Sequence, residues 1–273
     1  MFHVRTCKNV ILVVSLSSIY DPVVRHEAVE RLVVRDVGAW QERKYWRFRC
    51  DRWYGGIVTA DAVGCGLVCK YCWVSDKALF RPEEAGKFYR PNTLGDILLG
   101  MAQKRRLNQL RVSGGEPTIG WKHLLQLLDD LDGKDFHFIL ETNGILIGKE
   151  TDYAKELSKY RFIHVRVSLK GCNEKEFTTL TSAKPEGFTL QLRALESLLH
   201  AGVPCHPAVM ISFSTKQSLQ ELTRRLKSIN RKLAEELETE ELILYPNVKR
   251  KIVKHGLKYQ TSYTPSNIPR EQI

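Results

Sequence analysis

A chain of 273 residues has room for one large domain or two small ones, and its hydrophobic fraction of 43% is enough for a substantial core. The net charge of +11 permits contact with nucleic acid or another anionic partner, although a basic solvated surface explains it equally well. Seven cysteines, three of them crowded together, disfavour a secreted disulfide scaffold and favour a reduced metalloprotein. We therefore expect a cytoplasmic protein.

Residues 1–54 are interpreted as an N-terminal extension that covers the main domain. The apolar run VILVVSL at 10–16 follows Arg5 and Lys8, but it is too short to span a membrane. No small-residue cleavage site follows it convincingly, so we read it as a strand or an extension and expect no membrane partner. The stretch RKYWRFRCDRWYGG at 43–56 combines basic and aromatic side chains, which suits contact with RNA or an exposed surface.

Past residue 55, strand-like runs alternate with segments in which apolar residues recur at steps of three and four. This alternation predicts an α/β fold with a parallel sheet and right-handed crossovers, either doubly wound or a barrel. The predicted strands are 56–63, 109–114, 136–142, 162–169, 206–212 and 241–245. The predicted helices begin near Thr93 and cover about 124–133, 152–159, 188–200 and 219–237.

Polar clusters follow each of the predicted strands. The carboxyl ends of parallel strands meet at one edge of a sheet, so these clusters predict an active site there. They are VGCGLVCKYCW at 63–73, SGGEP at 113–117, ETNG at 141–144 and SLKG at 168–171, with Ser212 and Tyr245-Pro246 after the last two strands.

Three thiols stand within eight residues, at Cys65, Cys69 and Cys72. A structural zinc site and an ordinary electron-transfer cluster both use four protein ligands. No fourth cysteine lies nearby in the sequence. Either the site takes a ligand from a distant position, or one metal position is open.

Two motifs together resemble the signatures of the radical S-adenosylmethionine (radical SAM) superfamily. Cys65-x3-Cys69-x2-Cys72 has an aromatic residue, Tyr71, before its last cysteine, and SGGEP stands at the end of the next strand. The resemblance implies a partial (β/α)6 barrel of the TIM type with a short N-terminal extension. The implied boundaries are an extension or cap at 1–54, a radical SAM core at 55–246, and a basic, partly disordered tail at 247–273.

The resemblance also explains why there are three cysteines rather than four. In the superfamily, three thiolates bind three irons of a [4Fe-4S] cluster, and the fourth iron binds the amino and carboxylate groups of SAM. Reductive cleavage of SAM then gives methionine and a 5′-deoxyadenosyl radical, which abstracts a hydrogen atom from the substrate. The implied cofactors are a [4Fe-4S] cluster and SAM, and the implied partner is an electron donor of the flavodoxin or ferredoxin type.

SAM-binding roles for four residues follow from the same resemblance. Tyr71 corresponds to the aromatic residue beside the adenine. Gly114 and Gly115 allow a close approach of the backbone, because neither carries a Cβ. Glu116 corresponds to the residue that helps to bind the methionine amino group.

The segments SLKG and ETNG resemble those of glycyl-radical-enzyme activating enzymes. In those enzymes a lysine at the position of Lys170 neutralises the SAM carboxylate, so Lys170 joins the three cysteines as an expected catalytic residue. Ser168 replaces the usual aspartate and is expected to reach a ribose hydroxyl. Thr142 and Asn143 correspond to a DTNG segment that lies beside SAM, where the change at 168 disfavours the monovalent cation of that subfamily.

The sequence leaves the substrate open. The segments like those of activating enzymes favour hydrogen abstraction from a protein or peptide. Positive charge, including KRKIVKHGLK at 249–258, favours modification of tRNA or a nucleobase derivative. A non-catalytic module, in which the cysteines hold zinc or a simple iron–sulfur cluster, leaves SGGEP and Lys170 unexplained. Cys172, two residues further on, is interpreted as a small buried thiol.

Overall fold

The computed structural model describes residues 19–272, so the apolar run at 10–16 lies outside the described residues. Within this range nine strands form one mixed sheet and two form a small separate sheet. The strands are β1 (Val34–Val37), β2 (Trp40–Asp51), β3 (Ile57–Ala62), β4 (Lys87–Tyr89), β5 (Gln109–Gly114), β6 (His137–Thr142), β7 (Ile163–Leu169), β8 (Cys205–Met210), β9 (Glu238–Glu240), β10 (Leu242–Ile243) and β11 (Ser262–Tyr263).

Eleven α-helices connect these strands in the described part of the chain. None of them is long and apolar enough to cross a membrane. They are α1 (Pro22–Val33), α2 (Asp76–Phe80), α3 (Pro91–Arg105), α4 (Trp121–Leu131), α5 (Ile145–Lys149), α6 (Asp152–Leu157), α7 (Glu174–Thr181), α8 (Glu186–His200), α9 (Lys216–Ile229), α10 (Arg231–Glu235) and α11 (Pro246–His255).

The centre of the large sheet is parallel. Strands β3, β5, β6, β7, β8 and β9 are neighbours in that order, and each pair is parallel. The order begins at β1 and ends at β9, so the described strands form an open sheet rather than a closed barrel. This arrangement confirms the expected α/β fold with six parallel strands. The register pairs Ala62 with Gly114, which brings the segments after β3 and β5 together.

The sixth parallel strand lies three residues earlier than predicted. It is Glu238–Glu240, paired with β8, whereas Leu242–Ile243 pairs with β11 in the small sheet. The acidic sequence ETE does not look like a buried strand. Its carboxylates pair with Arg166 on β7, at 2.7 Å from Glu238 and 2.8 Å from Glu240, and this partner cannot be seen in the local sequence.

The helix predicted over 219–237 is two helices. Asn230 has an extended backbone, with φ of −161° and ψ of 136°, and separates α9 from α10. Its side-chain oxygen accepts a hydrogen bond from the backbone N–H of Lys232 at 2.9 Å. Asparagine commonly begins a helix in this way, so the apolar periodicity continues across a break that the cap creates.

Both flanks of the expected core contain regular structure. At the N-terminal side β2 pairs antiparallel with β3, so the sheet extends into residues expected to form a separate cap. At the C-terminal side the sequence predicts a partly disordered tail. Helix α11 and strand β11 lie there, and the side chain of Gln272 donates to the backbone oxygen of Thr239 at 3.3 Å. Hydrogen bonds to the small sheet and to β9 hold this segment.

The main core lies between the parallel strands and the helices of one face, with Leu98, Leu128, Phe138 and Leu195 buried at its centre. Helices α5 and α8 pack closely there. A Cβ added to Gly148 on α5 would lie 1.9 Å from the backbone oxygen of Leu190 on α8. The contact is to backbone, so a side chain at this position forces the helices apart.

We therefore expect Gly148→Ala to lower the free energy of unfolding by about 1–3 kcal/mol, the usual cost of overpacking. Gly100 on α3 is the matched control, since it is exposed and an added Cβ meets no atom within 4 Å. Gly100→Ala should stabilise the protein by about 0.5–1 kcal/mol, because alanine is the better helix former. Denaturant titration of both variants measures the difference. Equal stability of the two would contradict the close crossing of α5 and α8.

Candidate active site

The three cysteines lie on one loop, between β3 and the Ser75 cap of α2, and each of them is partly buried. The backbone N–H of Leu67 donates to the Cys65 Sγ at 3.3 Å, and that of Cys72 donates to the Cys69 oxygen at 3.0 Å. We call residues 63–75 the cysteine loop. This short segment therefore carries three sulfur atoms that can act as metal ligands.

Burial raises the pKa of all three thiols, that of Cys69 to about 12. The strongest opposing influence is the ammonium of Lys170 for Cys69 and that of Lys251 for Cys72. A thiol must lose its proton to bind a metal, and neighbouring cations favour that loss. Two lysines from separate elements therefore support thiolates on this loop.

The donor set fits an iron–sulfur cluster. No three His, Cys, Asp or Glu side chains within 19–272 lie close enough to hold one metal ion, but a cluster needs no such convergence because each thiolate binds a different iron. Arg25 on α1 gives a second indication. It is 4% exposed, its Nε and Nη1 find no hydrogen-bond partner in the described chain, and Cys65 is among the groups that favour its charge. An anionic cluster would provide acceptors for these buried donors.

SGGEP continues β5 along the start of the cysteine loop. The backbone N–H groups of Gly115 and Glu116 donate to Ala62 and Gly64 oxygens at 2.9 and 2.8 Å. A Cβ at position 115 would lie 2.1 Å from the Gly64 oxygen. Gly114 adopts a φ of +89°, a conformation that glycine accepts without strain. Both glycines therefore allow this segment to contact the loop that carries the cysteines.

The Glu116 side chain is 1% exposed and is fully bonded within the protein. Its Oε1 accepts from the Thr118 N–H at 3.1 Å and from the hydroxyls of Thr118 and Thr142 at 2.7 Å each. Its Oε2 accepts from the backbone N–H of Asn143 at 2.8 Å. The carboxylate therefore joins the ends of β5 and β6, and each of its oxygens accepts at least one hydrogen bond from the protein.

Asn143 is 5% exposed and its side chain turns toward the cysteine loop. Its Nδ2 lies 3.2 Å from the Nε2 of His26 and 3.7 Å from the Cys65 Sγ. His26 Nδ1 lies 2.6 Å from the Pro22 oxygen, an acceptor only, which assigns the ring proton to Nδ1. Nε2 then accepts from Asn143, and the second amide hydrogen is directed to the sulfur. Asn143 thus supports a cysteine.

The remaining predicted residues are Tyr71, Ser168 and Lys170. Tyr71 is 8% exposed, its ring packs against Phe213 at 5.1 Å, and its hydroxyl has no hydrogen-bond partner in the described part of the chain. The Ser168 hydroxyl accepts from Arg166 at 3.0 Å. The backbone N–H of Lys170 donates to Gln191 at 3.1 Å, while no ion pair or hydrogen bond of its ammonium is found in residues 19–272.

Sequence reasoning missed several residues that hold the cysteine loop from its two flanks. The hydroxyl of Tyr20 accepts from the Val68 N–H at 2.9 Å, and Lys251 on α11 contacts the other end of the loop. Gly66 is packed so tightly on His26 that an added Cβ would lie 1.9 Å from the imidazole. Nothing in the local sequence marks these residues, since each acts through a contact distant along the chain.

The sequence of this chain matches the family model described as the Radical SAM superfamily over residues 61–226. The chain belongs to the radical SAM superfamily. Membership confirms the resemblance seen in the sequence. It also means that the cofactors are those of the superfamily, a [4Fe-4S] cluster and SAM. A search of curated protein sequences found no match to this radical SAM chain.

Solved structures confirm the fold of this radical SAM protein. Streptococcus suis SuiB bound to precursor peptide SuiA is 16% identical, with a TM-score of 0.56 over 79% of this chain and 49% of that chain. TYW1 with a lysine-pyruvate adduct bound is 14% identical, with a TM-score of 0.51 over 87% and 88%. A spore photoproduct lyase mutant with bound AdoMet and dinucleoside spore photoproduct is 16% identical, with a TM-score of 0.51 over 79% and 65%. This chain thus spans about half the length of the SuiB chain.

The hydrogen bonds of Glu116 in this radical SAM site can be tested by substitution. In Glu116→Gln, either orientation of the amide places an NH₂ group against a backbone N–H, that of Thr118 or that of Asn143. We expect the metal-free protein to lose about 1–3 kcal/mol of unfolding free energy, the cost of an unpaired buried donor. Glu84→Gln removes only an exposed pair with Arg81 and should change stability by less than about 0.5 kcal/mol. Equal losses in the two variants would contradict the buried network.

Proposed function

We propose that this chain uses a [4Fe-4S] cluster with one open iron to cleave SAM reductively, and that the resulting 5′-deoxyadenosyl radical abstracts a hydrogen atom from a protein or peptide. The observation that carries the proposal is the cysteine loop itself. Three partly buried thiols lie there beside SGGEP, and the charge of Lys170 opposes the effect of burial on the pKa of Cys69. We assign Cys65, Cys69 and Cys72 as the ligands of the cluster.

Lys170 is our choice for the residue that neutralises the SAM carboxylate. It directly follows β7, at the carboxyl edge of the parallel strands where the cysteine loop also begins. Its ammonium opposes the effect of burial on the pKa of Cys69 and of Cys72. Because no ion pair within the described chain occupies this ammonium, it is available to a bound carboxylate. The contact would orient SAM and compensate its negative group.

Tyr71 and Ser168 are assigned to the nucleoside part of SAM. The buried Tyr71 hydroxyl without a partner supports a contact with a bound polar group beside the ring. Gly114 and Gly115 keep the neighbouring segment free of side chains. For Glu116, Thr142 and Asn143 we propose a supporting role, because their polar groups bond to one another and to the cysteine loop.

A protein or peptide is the substrate class that we favour. The SLKG and ETNG segments resemble activating enzymes, and SuiB, which shares the fold, is described with a precursor peptide. The sheet ends at β9 without closing in the described residues, which suits a substrate too large to be enclosed. We further propose an electron donor of the flavodoxin or ferredoxin type, because reductive cleavage requires an electron.

RNA is the second candidate substrate. The positive charge of the chain supports RNA less than the count of lysines and arginines implies. In the stretch 43–56, Arg43 and Lys44 are buried, and Arg47 and Arg49 both pair with the carboxylate of Asp61. These cations are buried or paired with a carboxylate, so they cannot all contact phosphate. The exposed lysines and arginine of α11 remain as support for RNA.

The first test is formation of 5′-deoxyadenosine from SAM by the anaerobically reconstituted and reduced protein. We expect product from the wild type and none above background from Cys72→Ala, since one iron then lacks its thiolate. Cys50→Ala changes an exposed thiol outside the loop and should retain activity. A wild type that holds a reducible cluster yet never forms product, with or without peptides, would contradict the proposal. Stimulation by bulk tRNA alone would favour the second candidate.

Lys170→Ala tests the assignment of the carboxylate contact. We expect an unchanged iron content and a SAM dissociation constant raised about 5- to 150-fold, which corresponds to one charge-assisted contact of about 1–3 kcal/mol. Lys175→Ala on α7 removes an exposed lysine nearby and should bind SAM normally. Equilibrium binding of SAM to the reconstituted variants measures the effect. Wild-type affinity in Lys170→Ala would remove this residue from the SAM site.

A further inference from the structure

Helix α11 buries one lysine against the cysteine loop. Lys251 is 7% exposed, and its ammonium donates to the backbone oxygens of Cys72 at 2.9 Å and Val74 at 2.7 Å. It also pairs with the carboxylate of Asp76 at 3.0 Å. Lysine has three N–H donors, so these three contacts use all of them on the segment that begins at Cys72.

The buried side chain of Lys251 also holds a positive charge close to the cysteine loop. The ammonium contacts the backbone of Cys72 itself, one of the three thiol residues of the cysteine loop. Its one carboxylate partner, Asp76, has a side chain that is 67% exposed, so solvent weakens the neutralisation of the ammonium. A buried and poorly compensated cation therefore lies at the backbone of Cys72.

We propose that Lys251 is a positioning residue for the iron–sulfur cluster, which fixes the backbone at Cys72 and holds a positive charge beside the cluster. The inference rests on the proposed function and extends it, because α11 follows the matched range 61–226. Groups that hydrogen-bond around metal ligands orient them and tune the metal. Reduction adds negative charge to a cluster, so a fixed cation favours the reduced form.

The helix has other contacts that hold it in place without this lysine. Val248 and Ile252 on α11 pack with Tyr71 and Leu242 in a small apolar cluster, and Asn247 donates to the Trp73 oxygen at 2.5 Å. Removal of the ammonium should therefore leave α11 docked. This makes Lys251→Met a usable variant, since methionine keeps most of the buried length of the side chain.

The experiment compares Lys251→Met, Lys251→Gln and Lys251→Arg after anaerobic reconstitution, with Lys254→Met, an exposed lysine of the same helix, as control. Iron and sulfide content, the rate of iron loss to a chelator and the midpoint potential of the cluster are measured. We expect the Met and Gln variants to lose iron about 10-fold faster than wild type, because losing an outer contact typically weakens metal binding about 10- to 100-fold. Their potential should become more negative, and Arg should restore it. Lys254→Met should match wild type.

Each outcome supports or overturns the proposed role of Lys251. A folded Lys251→Met with the wild-type potential and rate of iron loss would overturn the proposal, and so would an equal change in Lys254→Met. If Lys251→Met does not fold, equal potentials in the Gln and Arg variants would overturn it, because only arginine keeps the charge. A wild type that takes up no cluster would overturn the proposed function as well, whereas a failure confined to Lys251 would leave that function standing.

Discussion

The structure depends on how the backbone of the cysteine loop is held. A segment that must present three thiols has no regular secondary structure to bond its polar groups, and buried N–H and C=O groups left unpaired are costly. The loop therefore bonds to elements on every side. Its partners are Tyr20 before β1, the Gly115-Glu116 segment after β5, Leu180 on α7, and Asn247 and Lys251 on α11.

The charged side chains of the sheet also have partners on other strands. Arg111 on β5 bonds to Glu141 on β6, and Arg166 on β7 bonds to both carboxylates of β9. These ion pairs join β5 to its neighbour β6, and β7 to β9 across β8. A basic sequence can therefore produce less free surface charge than its count implies, because arginines such as Arg111 and Arg166 are buried and paired with carboxylates.

The sequence predicts those parts of the molecule whose signals are local. The apolar runs of the parallel strands, the cysteine spacing and SGGEP are each readable within a few residues, and the sheet places them as expected. The strand at Glu238–Glu240 was hidden because its carboxylates face Arg166, a partner 72 residues away. Lys251 was hidden for the same reason, because a buried lysine and a surface lysine look alike in a basic run.

Arg25 and Lys251 lie outside the family-matched range of 61–226, on segments that flank the proposed cluster site. One precedes that range and the other follows it, yet both are cations buried near the thiols. Burial of such charges is costly: Arg25 has two nitrogens without a hydrogen-bond partner in the described chain, and the carboxylate that pairs with Lys251 is exposed. It becomes favourable when the thiols bind iron as thiolates, since the cations then face negative charge. On the proposed function, the flanking segments therefore contribute cations that favour the three cysteines as thiolate ligands.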